Sequence, residues 1–299
     1  MTQFLIFHYK MRLEVDSMYK FHNKNTMHFK SLTLLIQDMR RSLAFYVDIL
    51  GFKILSQDAH QSVLTADGTS PLITLLDDRN ALPIEITQGL YHFALLLPTR
   101  GALASIIKQL SDKHFPISGA SDHGVSEAIY LDDPDGNGIE IYRDLDESLW
   151  PVENGKMTMF TKPLDIKEIM SELPENKTYE IEKDLILGHL HFHVGNLKDA
   201  EIFFCKAIGF DPMLEYMKSA LFISNHGYHH HLGLNIWNGD APLNKEKQVG
   251  LKSYVLFIPK NDYPAFTRRL TEHRISLMTD GDQKYIRDIL NQRIILEVE

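Results

Sequence analysis

The chain has 299 residues, of which 44% are hydrophobic, and this is enough to build two ordinary domains with cores of their own. Its formal net charge is -9 and its Lys and Arg residues are scattered, which argues against nucleic acid as a partner because an acidic surface repels phosphate. Cys205 is the only cysteine, so no internal disulfide can form, and we expect a cytoplasmic protein.

Residues 1–26 precede the first predicted module and are interpreted as an N-terminal extension. The apolar run at residues 4–7 is soon followed by charged residues, so it lacks the long apolar core of a signal peptide. The longest apolar runs, such as residues 93–97, have the length of a strand and are too short to cross a membrane. Secretion and membrane association are therefore not expected.

The first predicted domain, residues 27–148, divides into two β-α-β-β-β modules. In the first module, alternation predicts a strand over 32–36, helical spacing predicts a helix over 39–50 that ends at Gly51, and three short strands follow over 52–55, 62–66 and 71–76. The second module begins at Gly89 with a strand and continues with a helix over 100–114. Its last two strands, near 128–131 and 139–142, are joined by a turn at 132–138.

The second predicted domain, residues 184–299, repeats the first after a polar connector. The connector, residues 149–183, is predicted to hold one helix over 164–173 with Pro163 near its first turn. The segment that begins at Asp38 reappears 158 residues later at Asn196, without a gap through the helix and the glycine that ends it. The sequence thus predicts an α+β fold of four β-α-β-β-β modules in two domains, with curved mixed sheets and outer helices.

The order of these modules and four segments resemble the vicinal oxygen chelate superfamily, which includes glyoxalases, bleomycin resistance proteins and extradiol dioxygenases. Within it, the chain is similar to two-domain bacterial enzymes of the catechol 2,3-dioxygenase type. The resemblance covers roughly residues 28–299 and is most specific in the second and third modules. The segments are FY…LGF at 45–52, GLYHFALLLP at 89–98, DPDGNGIEIY at 133–142 and GYHHHLGLNIW at 227–237.

The resemblance implies a metal-dependent enzyme that inserts O2 into a catechol-type aromatic diol, next to the diol. Its implied cofactor is Fe(II), with Mn(II) as the alternative, and iron of this kind is held by two His and one carboxylate. In the superfamily these ligands lie on the first and last strands of modules. The matching residues are His92 and Glu140 in the second module and His189 in the third.

The local pattern agrees with this ligand set. His189 alternates with apolar residues along its strand, so it faces away from the helices. Glu140 lies between two isoleucines of a strand and must point into a cavity or be paired. A lone His on a strand is usually structural, but two of them with the Glu, in one recognised pattern, favour a metal.

The outer modules carry no such residues. Ser31 and Ser253 hold the positions that correspond to His189 and His92, and the position of Glu140 falls at about Ile295. Neither domain therefore has a complete set by itself. We infer that the second and third modules pair, either across the connector or between subunits of a homo-oligomer, and enclose a single metal site.

Three further residues are assigned roles by the resemblance. His231 matches the histidine that acts as acid and base on substrate and oxygen. His229 shares its face, and a register slip of one residue would select His230, so the choice among the three stays open. A second metal cluster or a structural strand is the alternative. His123 and Tyr130 match residues near the substrate hydroxyls, against the alternatives of a loop histidine and an ordinary strand aromatic. His191 and His193 line the cavity or face solvent.

Two other functional classes compete with the dioxygenase. A glyoxalase-like isomerase or lyase of the same superfamily uses four protein ligands with more than one Glu, whereas this chain has one Glu at a ligand position. A metal-free protein that binds an aromatic compound or drug requires an apolar cavity in which no two His and Glu converge.

Overall fold

The computed structural model describes residues 19–175 and 178–299 and has two mixed, curved β-sheets with helices outside them. Residues 1–18 of the predicted N-terminal extension lie outside the described residues. The rest of the extension packs on the third module. The backbone carbonyl of Phe21 lies 2.9 Å from Nε2 of His231, and Nε2 of His22 lies 2.7 Å from the carbonyl of Gly188.

The first module follows the predicted order, with small shifts of boundary. Asp38 caps its helix by accepting a hydrogen bond from the amide of Arg41, and Gly51 takes the left-handed conformation expected after a helix. The helix ends earlier than predicted because the amide of Leu50 bonds to the carbonyl of Phe45, five residues back, which widens the last turn. The elements are β1 His28–Ile36, α1 Met39–Tyr46, β2 Lys53–Gln57, β3 Gln61–Thr65 and β4 Ile73–Asp77.

The second module follows the predicted order of elements, and its helix begins at a threonine cap. The side chain of Thr99 accepts a hydrogen bond from the amide of Ala102, which satisfies one of the free donors at the start of that helix. The elements are β5 Gly89–Leu96, α2 Arg100–Asp112, β6 Gly119–Asp122, β7 Ser126–Asp132 and β8 Gly138–Asp144.

The connector contains less helix than predicted. Its helix is only five residues long, because Asp165 caps it by accepting from the amide of Glu168, while Pro163 belongs to the strand before the cap. The connector elements are a 3-10 turn at Glu147–Leu149, β9 Val152–Glu153, β10 Lys156–Met157, β11 Lys162–Pro163 and α3 Ile166–Met170.

The third and fourth modules repeat the plan of the first two. The helix of the third module starts as an α-helix and continues as a π-helix, Ile202–Ile208, up to Gly209. The elements of the third module are β12 Ile186–His193, α4 Leu197–Glu201, β13 Asp211–Tyr216, β14 Ala220–Ser224 and β15 Leu232–Asn235. Those of the fourth are β16 Gly250–Ile258, α5 Tyr263–Glu272, β17 Met278–Asp280, β18 Gln283–Arg287 and β19 Arg293–Val298.

The two sheets join modules from opposite halves of the sequence. One sheet has the order β11-β6-β7-β8-β5-β12-β15-β14-β13, so the second and third modules meet where β5 and β12 pair antiparallel. The other has the order β17-β18-β19-β16-β1-β4-β3-β2, in which β1 and β16 pair antiparallel. We call these the inner sheet and the outer sheet. The inferred pairing of the second and third modules is thus confirmed, and it occurs within one chain.

An apolar core lies between the sheets and under the helices. Phe192 of the inner sheet contacts Tyr254 of the outer sheet, with ring centroids 5.7 Å apart, and both side chains are fully buried. The predicted α+β class with curved sheets is confirmed. Among the described residues, no helix is long and apolar enough to cross a membrane.

Candidate metal centre

His92, Glu140 and His189 converge because they lie on three neighbouring strands of the inner sheet. Strand β8 runs parallel to β5 with Glu140 opposite Ala94, and β12 runs antiparallel to β5 with His189 opposite the same Ala94. His92 is two residues before Ala94 and shares its face of the strand. One potential ligand atom from each of the three side chains lies within 4.8 Å of the others.

The geometry of this cluster fits a divalent metal ion. Oε2 of Glu140 lies 3.1 Å from Nε2 of His92 and 3.3 Å from Nε2 of His189. Ligand atoms at right angles and about 2.1 Å from one ion are themselves about 3 Å apart. The three residues are at most 6% exposed, so bulk water has little access to them.

The hydrogen bonding of the two imidazoles also favours a metal site. Among the described residues, Nε2 of His92 and both ring nitrogens of His189 are buried without a hydrogen-bond partner. A buried polar atom without a partner costs about 1–3 kcal/mol, which a bound cation would relieve. Burial lowers the pKa of His189 to about 4, so its imidazole is neutral at pH 7 and has a free lone pair.

His123 and Tyr130 lie beside this cluster. Tyr130 on β7 pairs directly with Glu140, and its ring centroid is 5.9 Å from that of His92. Its hydroxyl lies 2.7 Å from Nε2 of His123. Burial and the neighbouring carboxylate of Glu140 raise the pKa of Tyr130 well above its usual range, so the phenol keeps its proton. The structure therefore brings both residues to the cluster.

Both ring nitrogens of His231 meet backbone groups, whereas His230 lies against His189. Nδ1 of His231 accepts from the amide of Asn225 at 3.1 Å, while its Nε2 meets the carbonyl of Phe21. The ring of His230, in contrast, lies 4.1 Å from that of His189, centroid to centroid. The strand alternation that selected His231 fails at this residue: its backbone bonds to Leu190 and Ile223 as in the sheet, but its side chain meets the backbone of Asn225 and Phe21.

His191 and His193 are tied to one asparagine. Nδ2 of Asn235 lies 3.0 Å from Nε2 of His191, and its Oδ1 lies 2.6 Å from Nδ1 of His193. His191 is buried with its ring centroid 4.9 Å from that of His92, so it does not face solvent. His193 is only partly buried and lines a cavity of about 430 Å³, together with Tyr91.

Sequence reasoning missed Asp144, which reaches the cluster through two of the histidines at 229–231. Asp144 accepts from Nε2 of His229 at 2.8 Å, and Nδ1 of His229 lies 2.7 Å from Nδ1 of His230. The signal was present in the sequence, since Asp144 follows Glu140 by four residues on one strand and must share its face.

The outer sheet contains the same three positions without ligands. Val255 lies opposite both Ser31 and Ile295, as Ala94 lies opposite His189 and Glu140, and Ser253 precedes Val255 by two residues. The predicted correspondence is therefore also the correspondence of strand register. Among the described residues, the inner cluster is the one group of three such side chains close enough to share a metal.

Comparisons with known proteins agree with this fold. The profile of the Glyoxalase/Bleomycin resistance protein/Dioxygenase superfamily matches residues 28–141. A Catechol-2,3-dioxygenase of Bacillus subtilis (strain 168) is 41% identical over 240 residues, which are 79% of this chain and 84% of that protein. Biphenyl-2,3-diol 1,2-dioxygenase 3 of Rhodococcus globerulus is 33% identical over 103 residues, which are 33% of this chain and 54% of that protein.

The chain therefore belongs to the glyoxalase, bleomycin resistance protein and dioxygenase superfamily. The similarity to a catechol-2,3-dioxygenase over most of both chains confirms the predicted enzyme class, an extradiol dioxygenase. The crystal structure of glyoxalase I from Zea mays matches with a TM-score of 0.57 at 14% identity, covering 91% of this chain and 92% of that one. At such low identity this likeness shows the fold alone.

Proposed function

We propose that the protein uses a divalent metal, Fe(II) in the first place, to insert O2 into a small catechol-type diol next to its hydroxyls. His92, Glu140 and His189 are the proposed ligands. The observation that carries the proposal is their convergence, at 3.1 and 3.3 Å, with buried imidazole nitrogens that have no partner among the described residues. Two His and one carboxylate occupy one face of an iron ion and leave the other face open.

When bound, Fe(II) would supply coordination of the diol oxygens and transfer of electrons between the aromatic ring and O2. The protein's own residues would manage the protons. His230, next to His189, is the proposed acid and base in place of His231, because burial keeps its pKa well below the usual range and its imidazole neutral. Tyr130 keeps its proton and would donate a hydrogen bond to a substrate oxygen, while His123 holds the Tyr130 hydroxyl.

The substrate class is supported by the two curated relatives, whose names specify a catechol and a biphenyl-2,3-diol. Both are aromatic diols with adjacent hydroxyls. We therefore propose that the reactants are a small aromatic diol and O2. We also propose that the reaction takes place in the cytoplasm. Within the described residues the cluster includes one carboxylate, which favours this chemistry over a glyoxalase-like site with more than one Glu.

The proposal is tested by loading the protein with Fe(II) without oxygen, adding catechol, and then admitting air. We expect oxygen uptake together with a yellow ring-cleaved product. Parallel samples with Mn(II), and a panel of substituted catechols, would rank metals and substrates. The Glu140→Gln variant is the control, since it keeps the shape of the site and removes the negative charge. No oxygen uptake across the panel with either metal would refute the proposal.

A further inference from the structure

A chain of three side chains runs from the end of β8, an interior strand of the inner sheet, to the proposed metal ligands. The carboxylate of Asp144, with a quarter of its side chain exposed, lies 2.8 Å from Nε2 of His229. His229 is fully buried, and its Nδ1 lies 2.7 Å from Nδ1 of His230. His230 in turn packs on His189, with ring centroids 4.1 Å apart.

The hydrogen bonds between these side chains determine which ring nitrogens of His229 and His230 carry a proton. A carboxylate only accepts, so Nε2 of His229 must carry the proton that it donates to Asp144. In a neutral imidazole the other nitrogen is then an acceptor, which makes Nδ1 of His229 accept from Nδ1 of His230. A neutral imidazole carries one ring proton, so a His230 that donates from Nδ1 has none on Nε2.

We propose that Asp144 and His229 are positioning residues that hold His230 in the tautomer with a free lone pair on Nε2. This inference rests on the proposed function, in which His230 takes a proton from the substrate. The lone pair is what a general base needs before substrate binds, and no rearrangement of protons is required at that moment. An orienting carboxylate that sets a histidine tautomer is worth orders of magnitude in rate elsewhere.

Asp144 has a second donor, and this provides a matched control. The hydroxyl of Tyr228 donates to the same carboxylate, at 3.0 Å from Oδ2, and its ring stacks on His229 at a centroid distance of 3.9 Å. Tyr228→Phe removes its hydrogen bonds to Asp144 and to the hydroxyl of Tyr142 but keeps the ring and the bond between Asp144 and His229. Asp144→Asn, by contrast, weakens the group that orders the tautomers.

The tautomer itself is measured by nitrogen NMR of the full chain with labelled histidines, using diamagnetic Zn(II) in place of paramagnetic Fe(II). His230→Gln assigns the signal. We expect a protonated Nδ1 and an unprotonated Nε2 in His230, and a mixture of tautomers in Asp144→Asn. A protonated Nε2 in the wild type, or no change in Asp144→Asn, would overturn the inference. This readout does not depend on turnover, so it stands apart from failure of the proposed function.

Kinetics with the best diol of the panel give a second test. His229→Phe keeps the ring but loses the acceptor, and we expect kcat to fall by about tenfold or more with KM nearly unchanged. His229→Asn, whose amide oxygen lies near the former Nδ1, should recover part of the loss. Tyr228→Phe should keep kcat within about twofold. Equal losses in Tyr228→Phe and Asp144→Asn would mean that the carboxylate only supports the fold.

Discussion

The inner and outer sheets are two versions of one scaffold, and they differ in what fills three equivalent positions. In both, one small residue of the central strand, Ala94 or Val255, lies opposite the other two strands. The inner positions hold two imidazoles and a carboxylate, and the outer ones two hydroxyls and a sec-butyl group. The duplication therefore conserved the convergence of three strands, while the side chains alone decide whether a metal can be bound.

The sheets also differ in what covers these positions. The inner positions are buried beneath a cluster formed by residues 19–22, the connector and the segment before β15. In this cluster the ring of Phe21 packs on the rings of Trp150 and Tyr228, with centroid distances of 5.7 and 5.0 Å. Ser31 and Ile295 in the outer sheet are partly exposed. A covered site excludes water, and the same charges interact more strongly there.

The largest expected effect follows from removing an inner ligand. His92→Ala, Glu140→Ala and His189→Ala should each lose bound metal and lower catechol cleavage by at least about 1,000-fold, because no other group in the described part of the chain completes the proposed ligand set. Metal content and oxygen uptake, measured on the same samples, check this. The matched controls are Ser253→Ala and Ile295→Val at the equivalent outer positions. Metal loss in either control would break the comparison of the two sheets.

Next in size is the contrast between two adjacent histidines. His230→Gln should lower kcat by about 100-fold or more while metal binding is kept, as expected for loss of a general acid–base. His231→Gln should act on folding instead, with a loss of about 1–3 kcal/mol, because both ring nitrogens of His231 meet backbone groups. Steady-state kinetics and urea unfolding of both variants separate the two roles. A kcat loss confined to His231→Gln would restore the original assignment.

These two histidines show where sequence reasoning stopped. The module order, the pairing of the inner modules and the convergence of His92, Glu140 and His189 followed from periodicity, the repeat and the family resemblance. The choice between His230 and His231 depended on the start of a strand, and a shift of one residue reverses every face. The contact between Asp144 and His229 joins residues 85 apart; the strand pattern places Asp144 on the same face as Glu140 but does not identify the partner that it meets there.

A smaller effect is expected at a tyrosine that both sheets keep. Tyr130 pairs with Glu140, and Tyr285 pairs with Ile295 at the equivalent outer position. Tyr130→Phe should lower kcat by about tenfold through loss of one hydrogen bond to substrate, while Tyr285→Phe should change kcat by less than about twofold. The kcat values of the two variants, compared side by side, check this. Equal falls in kcat would show that the tyrosine stabilises the fold of its module and takes no part in the reaction.

The smallest effect is the pH dependence of stability that arises from His22, one of the residues 19–22 that cover the inner sheet. Burial lowers the pKa of His22 to about 4, against 6.5 for an exposed histidine, so between these values the unfolded chain binds the proton and the folded one does not. Stability is therefore complete above pH 6.5 and falls as the pH drops towards 4, by up to about 1.4 kcal/mol per unit from His22. His22→Gln should flatten this dependence in urea unfolding, whereas His60→Gln, at an exposed site in the first module, should leave it unchanged. If His22→Gln does not reduce the pH dependence of the free energy of unfolding, the protonation that destabilises the protein occurs at other groups, and not in the residues that cover the inner sheet.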